Sequence, residues 1–298
     1  MTETDGSPSQ YGRFQQSSAV VLGATSLVGR FLLERLVGSG IDTTGVSRHA
    51  QPSQVGVKWV TSDLETLNLP PAQSPRVAFS AAPIWLLVPA LPVLHRAGVM
   101  RLVAFSSTSR FTKAKSPIGS ERDVVNRLIG GESEARAYCE TQGIIWTILR
   151  PTVIYAEGRD RSITRLANLV RRFHMLPLAG DAHGKRQPVH ADDLAAGAIA
   201  AAASPATNNR AYDLPGGETL SYHSMVERIF EGLGRRPRVI SIPPPLWRAG
   251  LSLASILMSG VTTEMGSRMT EDLVFDAGPA ERDFAWRPRG FRPRFDDR

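Results

Sequence analysis

The stretch from Ala19 to Glu34, Ala-Val-Val-Leu-Gly-Ala-Thr-Ser-Leu-Val-Gly-Arg-Phe-Leu-Leu-Glu, constrains the fold more than any other part of the chain. A short apolar run ends at Gly23. After a turn of small residues, apolar side chains recur at Leu27, Val28, Phe31, Leu32 and Leu36, which is a helical spacing. A strand, a glycine-bearing turn and a helix in that order present unsatisfied backbone N–H groups at a helix N-terminus, where the dipole favours an anion. Glycine in the turn lets backbone approach phosphates, and a later one allows close helix–strand packing. Gly23, Ala24, Thr25, Ser26, Leu27, Val28 and Gly29 are therefore expected to hold a dinucleotide pyrophosphate. Ser26 stands where the middle glycine of such a turn is usual, and its hydroxyl is expected to donate to a phosphate.

The rest of the first half repeats the strand–helix alternation. Strands are expected at Val20–Leu22, Thr43–Ser47, Val57–Val60, Arg76–Ser80, Leu102–Phe105 and Ile145–Leu149, with helices over roughly 27–38, 84–97 and 120–142. Such alternation predicts an α/β chain, a Rossmann-type doubly wound parallel sheet with helices on both faces and ligands at the carboxyl ends of the strands. Past Arg150 the pattern loosens into a basic helix over 161–176, a short strand at Gln187–His190, an Ala-rich helix over 191–203, a strand near Ala211–Leu214 and a helix over 221–233. The Pro243-Pro-Pro245 run breaks regular structure before the final helices. The expected plan is a tail over 1–17, a dinucleotide-binding core over 18–155 to which 186–215 returns, and a smaller discontinuous substrate lobe from 156–185 and 216–298.

Composition narrows the function classes. With 298 residues the chain can bury a large core, and its single cysteine, Cys139, excludes an internal disulfide and suits a cytoplasmic setting. The net charge of +7 rests on scattered arginines, with lysines only at 58, 113, 115 and 185, so no nucleic-acid partner is expected. The arginine-rich end from Arg282 to Arg298 reads as a solvated tail. The apolar stretch from Leu246 to Met258 is too short to span a bilayer and reads as an amphipathic helix packing on its own domain. Residues 1–17 are polar, lack an apolar core, and read as a disordered tail.

Cofactor choice falls to the end of the second strand. Gly45-Val-Ser-Arg48-His49 offers no carboxylate for ribose hydroxyls, whereas Arg48 stands where a 2′-phosphate would lie, and a guanidinium pairs with phosphate through two hydrogen bonds. NADP(H) is thus favoured over NAD(H). Asp63 and Leu64 are placed to meet the adenine edge, and Ala81, Ala82 and Pro83 leave room for the middle of the cofactor.

Taken in order, Gly23-Ala-Thr-Ser-Leu-Val-Gly29, Asp63-Leu64, Ala81-Ala-Pro83, Phe105-Ser106-Ser107, Leu149-Arg-Pro151-Thr-Val-Ile-Tyr155, Gln187-Pro-Val-His190-Ala-Asp-Asp193-Leu194 and Ala211-Tyr-Asp-Leu-Pro-Gly216-Gly217 resemble the extended short-chain dehydrogenase/reductases, and within them the NAD-dependent epimerase/dehydratase group. The resemblance runs over roughly residues 18–290. It implies an NAD(P) site in the N-terminal core, in which Pro151 takes part, and a carbonyl or hydroxyl substrate such as a nucleotide sugar beneath the C-terminal lobe. It also implies that Arg186 and His190, with the arginines of 159–172, meet the substrate.

The chain departs from the family at the proton relay, a Tyr-x-x-x-Lys pair one helical turn apart, in which the ammonium lowers the phenol from its ordinary pKa of about 10. No tyrosine here has a lysine four residues later, and the corresponding positions fall near Leu128 and Glu132. Ser106, Ser107, Lys113 and Tyr155 are the candidate substitutes. His190-Ala-Asp192-Asp193 supplies too few ligand types for a metal, and an N-capping aspartate is expected there. Two readings follow: an NAD(P)-dependent oxidoreductase or epimerase with a rebuilt relay, which is favoured, and a non-catalytic NAD(P)-binding redox sensor or assembly subunit of the NmrA-like kind. Oligomeric state does not follow from the sequence.

Overall fold

The computed structural model describes residues 18–69, 76–243, 245–247 and 269–295. Strands β1 (Ser18–Leu22), β2 (Thr43–Ser47), β3 (Val57–Thr61), β4 (Arg76–Ser80), β5 (Val99–Phe105), β6 (Ile145–Pro151) and β11 (Arg210–Leu214) form one sheet in the order β11-β6-β5-β4-β1-β2-β3. Every pairing in it is parallel. The chain leaves β3 at one edge and returns beside β1 with β4, so the order reverses between β1 and β4, where doubly wound sheets place a ligand crevice. Near-continuous burial of β1, β4 and β5 follows from helices covering both faces of a parallel sheet.

Two compact units divide the chain. The first comprises Met1–Pro151, Asp192–Leu214 and Ala277–Trp286, and the second Thr152–Ala191, Pro215–Asp276 and Arg287–Arg298. Around the sheet of the first unit lie α1 (Leu27–Gly38), α2 (Ile84–Leu87), α3 (Leu91–Arg96), α4 (Ser109–Thr112), α5 (Gly119–Gln142), α7 (Ala191–Ala203) and α9 (Gly278–Phe284). The single helix expected over 84–97 is divided by a 3-10 turn at Val88–Ala90, because Pro89 and Pro92 lack the N–H that a continuous helix needs and each sits in the first turn of its segment.

The second unit holds α6 (Ile163–Phe173), α8 (Tyr222–Gly232) and three two-stranded pieces. These pair β7 (Ile154–Tyr155) with β10 (Val189–His190), β9 (Lys185–Arg186) with β12 (Leu220–Ser221), and β8 (Leu176–Ala179) with β13 (Val239–Ile242). Of the strand expected at Gln187–His190 only Val189–His190 forms. Its core includes Tyr155, Ile163, Val170, Leu178, Val226, Phe230 and Phe291.

The stretch from Arg282 to Phe295 is packed, against the expectation of a solvated tail. Phe284 and Trp286 are buried in the first unit, and Phe291 and Phe295 in the second. Those interleaved aromatics were the legible sign. Trp286 sits against Gly197 of α7, where a Cβ would lie 2.4 Å from its ring. The tail over 1–17 and, past Trp247, the helix expected over Leu246–Met258 lie outside the described residues. Among the described residues no helix is long and apolar enough to cross a membrane.

Candidate dinucleotide site and the end of strand β5

Gly23 adopts φ 66°, the left-handed region, and a Cβ on it would lie 2.7 Å from the backbone N of Ala82. A Cβ on Gly29 would lie 2.3 Å from the carbonyl oxygen of Gly23. Both glycines are therefore required by close backbone approach. The turn is seated between neighbouring strands: Ala24 N–H donates to Val46 O at 3.2 Å and Ala81 N–H to Leu22 O at 2.9 Å. Ala24 and Val28 are buried, whereas Thr25 and Leu27 are half-buried beside them. Ser26 is the N-cap of α1, its Oγ accepting from Gly29 N–H at 3.1 Å, and no acidic residue stands in the helix's first turn. The serine that replaces glycine thus finishes the helix, and its O–H hydrogen remains a donor. A cradle of bare backbone ahead of a twelve-residue helix suits a pyrophosphate.

The remaining cofactor candidates lie at strand ends of the same sheet. Arg48 is exposed immediately after β2. Asp63 is exposed, its Oδ1 accepting from Glu65 N–H at 3.2 Å in a local turn, and Leu64 is buried in the core. Ala81 and Ala82 are half-buried between β4 and Pro83, which precedes α2. Pro151 ends β6, and its carbonyl accepts from Thr108 N–H at 3.1 Å and from Thr108 Oγ1 at 3.0 Å.

At the end of β5 the structure assembles a charged cluster. Glu132 projects from the inward face of α5 shared by Val125, Leu128, Ala135 and Cys139 and is 2% exposed. Ser106 Oγ donates to Glu132 Oε1 at 2.5 Å, Arg150 Nη2 donates to Oε2 at 2.6 Å, and Arg110 Nη1 also donates to Oε2. Arg150 Nη1 lies 3.7 Å from Asp213 Oδ1 on β11. Burial pushes the Asp213 carboxyl up, although the Arg150 charge pulls the other way. Both guanidiniums are held below the usual arginine value, Arg110 by burial and then by the Arg150 charge, and Arg150 by burial against the opposing pull of Asp213. Phe111 stacks beside both, with its ring centre 5.2 Å from Arg110 Cζ and 5.5 Å from Arg150 Cζ.

Of the two residues near which the relay pair is expected, Glu132 is a buried carboxylate neutralised by two arginines, and Leu128 lies in the core. Ser106, expected to serve a reacting carbonyl, directs its hydrogen at Glu132 and presents lone pairs instead. Ser107 Oγ accepts from Ser109 N–H at 3.1 Å at the start of α4, and Lys113 Nζ pairs with Glu121 at 3.3 Å. Sequence reasoning located Glu132 by helical register but missed Arg110, Arg150 and Asp213, which come from the short helix α4 and two strand ends with no common spacing.

Tyr155 belongs to the second unit, 1% exposed, with its ring edge-on to His190 and Phe291. In that unit His190 Nε2 lies 3.2 Å from Glu157 Oε2. Arg186 is buried and donates to the carbonyls of Lys185 at 2.7 Å and Glu271 at 2.6 Å. In the first unit Asp192 accepts from Arg35 Nε at 2.6 Å. Among the described residues no group of His, Cys, Asp and Glu is arranged to hold a metal ion. Tyr212, whose hydroxyl donates to Asp283 Oδ2 at 2.5 Å, is pushed up to about 12 by burial and by that carboxylate, opposite to what an acid–base phenol needs.

Residues 84–214 match the model of the NAD dependent epimerase/dehydratase family. The chain is 30% identical over 169 residues to the mitochondrial NADH dehydrogenase [ubiquinone] 1 alpha subcomplex subunit 9 of Arabidopsis thaliana, covering 54% of this chain and 37% of that protein. It thus spans little more than a third of that relative's length. Among solved structures it superposes on an epimerase from Methanothermobacter thermautotrophicus with TM-score 0.71 and 15% identity, over 95% of this chain and 91% of that one. It also superposes on MoeE5 in complex with UDP-glucuronic acid and NAD, with TM-score 0.70 and 19% identity over 93% and 95% of the two chains. The family match over residues 84–214 falls on the part of the chain that runs from α2 to β11 of the seven-stranded parallel sheet, and these solved structures share that fold.

Proposed function

We propose that the first unit binds NAD(P)(H) and that the protein is an epimerase-like oxidoreductase acting on a carbonyl or hydroxyl substrate, with nucleotide sugars as the class to which the ligands of solved neighbours point. The observation that carries the binding reading is the backbone cradle at Gly23 and Gly29, which any Cβ would fill. Gly23–Gly29 would hold the pyrophosphate, Arg48 a 2′-phosphate, Asp63 and Leu64 the adenine edge, and Ala81, Ala82, Pro83 and Pro151 the central part. When bound, the cofactor supplies hydride exchange with a substrate carbon. The chain's own part is orientation, with Ser106 accepting a hydrogen bond from a substrate hydroxyl and Lys113 contributing positive charge nearby in sequence. The single free cysteine supports a cytoplasmic location.

Two observations favour a second reading, a non-catalytic dinucleotide-binding sensor or assembly subunit: the Glu132 cluster stands near where the relay would be, and the Arabidopsis relative is named as a subunit. Titration with both nucleotides, followed by a turnover panel of carbonyls and nucleotide sugars, separates the readings. NADPH should bind about tenfold more tightly than NADH, since a charge-assisted pair contributes roughly 1.5–3 kcal/mol, and Arg48→Ala should abolish the difference. Equal affinities would remove the NADP assignment. Turnover supports the oxidoreductase, tight binding without turnover supports the sensor, and binding of neither nucleotide sinks both.

A further inference from the structure

Arg30, the fourth residue of α1, is an exposed cation just beyond the glycine turn. Side chains of a helix lean toward its N-terminus. Arg30 follows that lean: its Nε donates to the carbonyl oxygen of Thr25 at 3.2 Å, which lays the guanidinium back over the turn. A carboxylate stands in the other direction, at Glu34 one helical turn further on, yet no ion pair joins the two. The Nη1 and Nη2 groups of Arg30 meet no acceptor among the described residues.

Two contacts fix which way this flank of α1 faces. Val37 lies seven residues, and so two turns, beyond Arg30 on the same flank. A Cβ on Gly56, the residue before β3, would lie 2.5 Å from Val37 Cγ1. Another flank meets α7, where Arg35 Nε donates to Asp192 Oδ1 at 2.6 Å. Arg30 therefore stands on the side of α1 that looks toward β2 and β3. The glycine turn meets β2 on that side as well, since Ala24 N–H donates to Val46 O, and Arg48 follows two residues later. The segment bearing Arg48 is pinned: Ser62 N–H donates to Ser47 O at 2.9 Å and His49 N–H to Ser47 Oγ at 3.3 Å. Arg30 and Arg48 thus border one corner, between the turn and the end of β2, from two separate elements.

A dinucleotide held by the turn brings its adenosine ribose to the end of the second strand, which is this corner. A 2′-phosphate there is tetrahedral and multiply charged, and one guanidinium fork engages only two of its oxygens. We propose that Arg30 is a specificity-determining residue that, together with Arg48, clamps the 2′-phosphate of NADP(H). The proposal rests on the dinucleotide reading above. The sign of the charge supports it. A cation this near the N-terminus of α1 opposes the helix dipole, whose N-terminal end is itself positive, and no acidic residue stands in the first turn to offset it. In the free protein that placement is unfavourable, and a bound anion reverses the sign.

Calorimetric titration of the whole chain with NADPH, NADH and adenosine 2′,5′-bisphosphate tests the clamp. Arg30→Gln should weaken NADPH and the bisphosphate about tenfold, as loss of a charge-assisted pair does, and leave NADH within about twofold. Arg30→Lys, which keeps the charge and loses the fork, should weaken NADPH less than Arg30→Gln does. Arg127→Gln, at an exposed arginine of α5, should change none of the three affinities. Thermal unfolding without nucleotide should show Arg30→Gln to be no less stable than the unaltered chain. NADH and NADPH weakened alike would put Arg30 on the pyrophosphate and overturn the clamp. A lower melting temperature of free Arg30→Gln would make its effect structural and overturn the clamp too. Binding of neither nucleotide by the unaltered chain sinks the dinucleotide reading itself, whereas nucleotide binding that Arg30→Gln leaves untouched sinks the clamp alone.

Discussion

Glu132 shows how much one side chain decides here. It sits on the inward face of α5, one turn beyond Leu128, and draws in Ser106, Arg110 and Arg150. A buried carboxylate offers no positive charge that would lower a phenol, and the two guanidiniums gathered around it are stable only while it remains ionised. Glu132→Gln should therefore destabilise the protein by about 3 kcal/mol, because breaking a buried pair strands a charge, and chemical denaturation measures it. A loss below about 1 kcal/mol would show that the cluster is solvated enough to do without its carboxylate. The glycine turn is governed by the same principle of close approach, since Gly23 and Gly29 are dictated by backbone atoms 2.7 Å and 2.3 Å from where their Cβ atoms would be. Their identity was legible in the sequence as a spacing. Arg110, Arg150 and Asp213 were not legible, since nothing in a one-dimensional pattern states that α4 and the end of β6 converge on one carboxylate, or that the end of β11 meets Arg150.

The helix α5 tests that distinction at the scale of an element. Its neighbouring glycines look alike in sequence, and as a pair they lower helix propensity. Their surroundings differ. A Cβ at Gly131 would lie 2.8 Å from the backbone N of Trp85 in α2, so this glycine lets two helix backbones approach. At Gly130 the nearest atom is Oε1 of the flexible Glu134 side chain at 3.7 Å. Gly130→Ala should accordingly stabilise the protein by about 0.5–1 kcal/mol through propensity alone, whereas Gly131→Ala should destabilise it by at least about 1 kcal/mol through overpacking. Thermal unfolding of the two variants checks the sign of each, and equal shifts would refute the account. The strands of the large sheet were legible because each is an apolar run long enough to register. The pieces β9, β10 and β12 hold two residues apiece, too few for any alternation to show.

Across the whole molecule the ionisable groups divide by sign. Glu157 and Glu218, in the second unit, lie below the ordinary value of 4.5. Burial raises each, but His190 beside Glu157, and Arg228, the Phe291 N–H and Arg292 around Glu218, outweigh it. A carboxyl lowered by folding contributes stability that is complete above its unfolded pKa and lost as pH falls through its folded value. Asp213, in the first unit, is raised and has the opposite sign, losing its contribution as pH rises through its folded value. Urea midpoints should therefore fall as pH is lowered from about 5 to 3, and Glu218→Gln should flatten that dependence; an unchanged slope would show that Glu218 carries none of it. The arginine-rich end takes part in the same network, since Arg292 Nη1 donates to Glu218 Oε1 at 2.6 Å. The sequence by itself determined the parallel α/β core, the glycine turn and the absence of a Tyr-x-x-x-Lys pair, because each is a matter of local periodicity or of residue identity at a stated spacing. Only the tertiary structure decided what surrounds Glu132, which glycines are obligatory, and that the stretch up to Phe295 is packed. These are contacts between residues far apart in the chain, and their energies depend on burial and on distance, neither of which is written in the order of the residues.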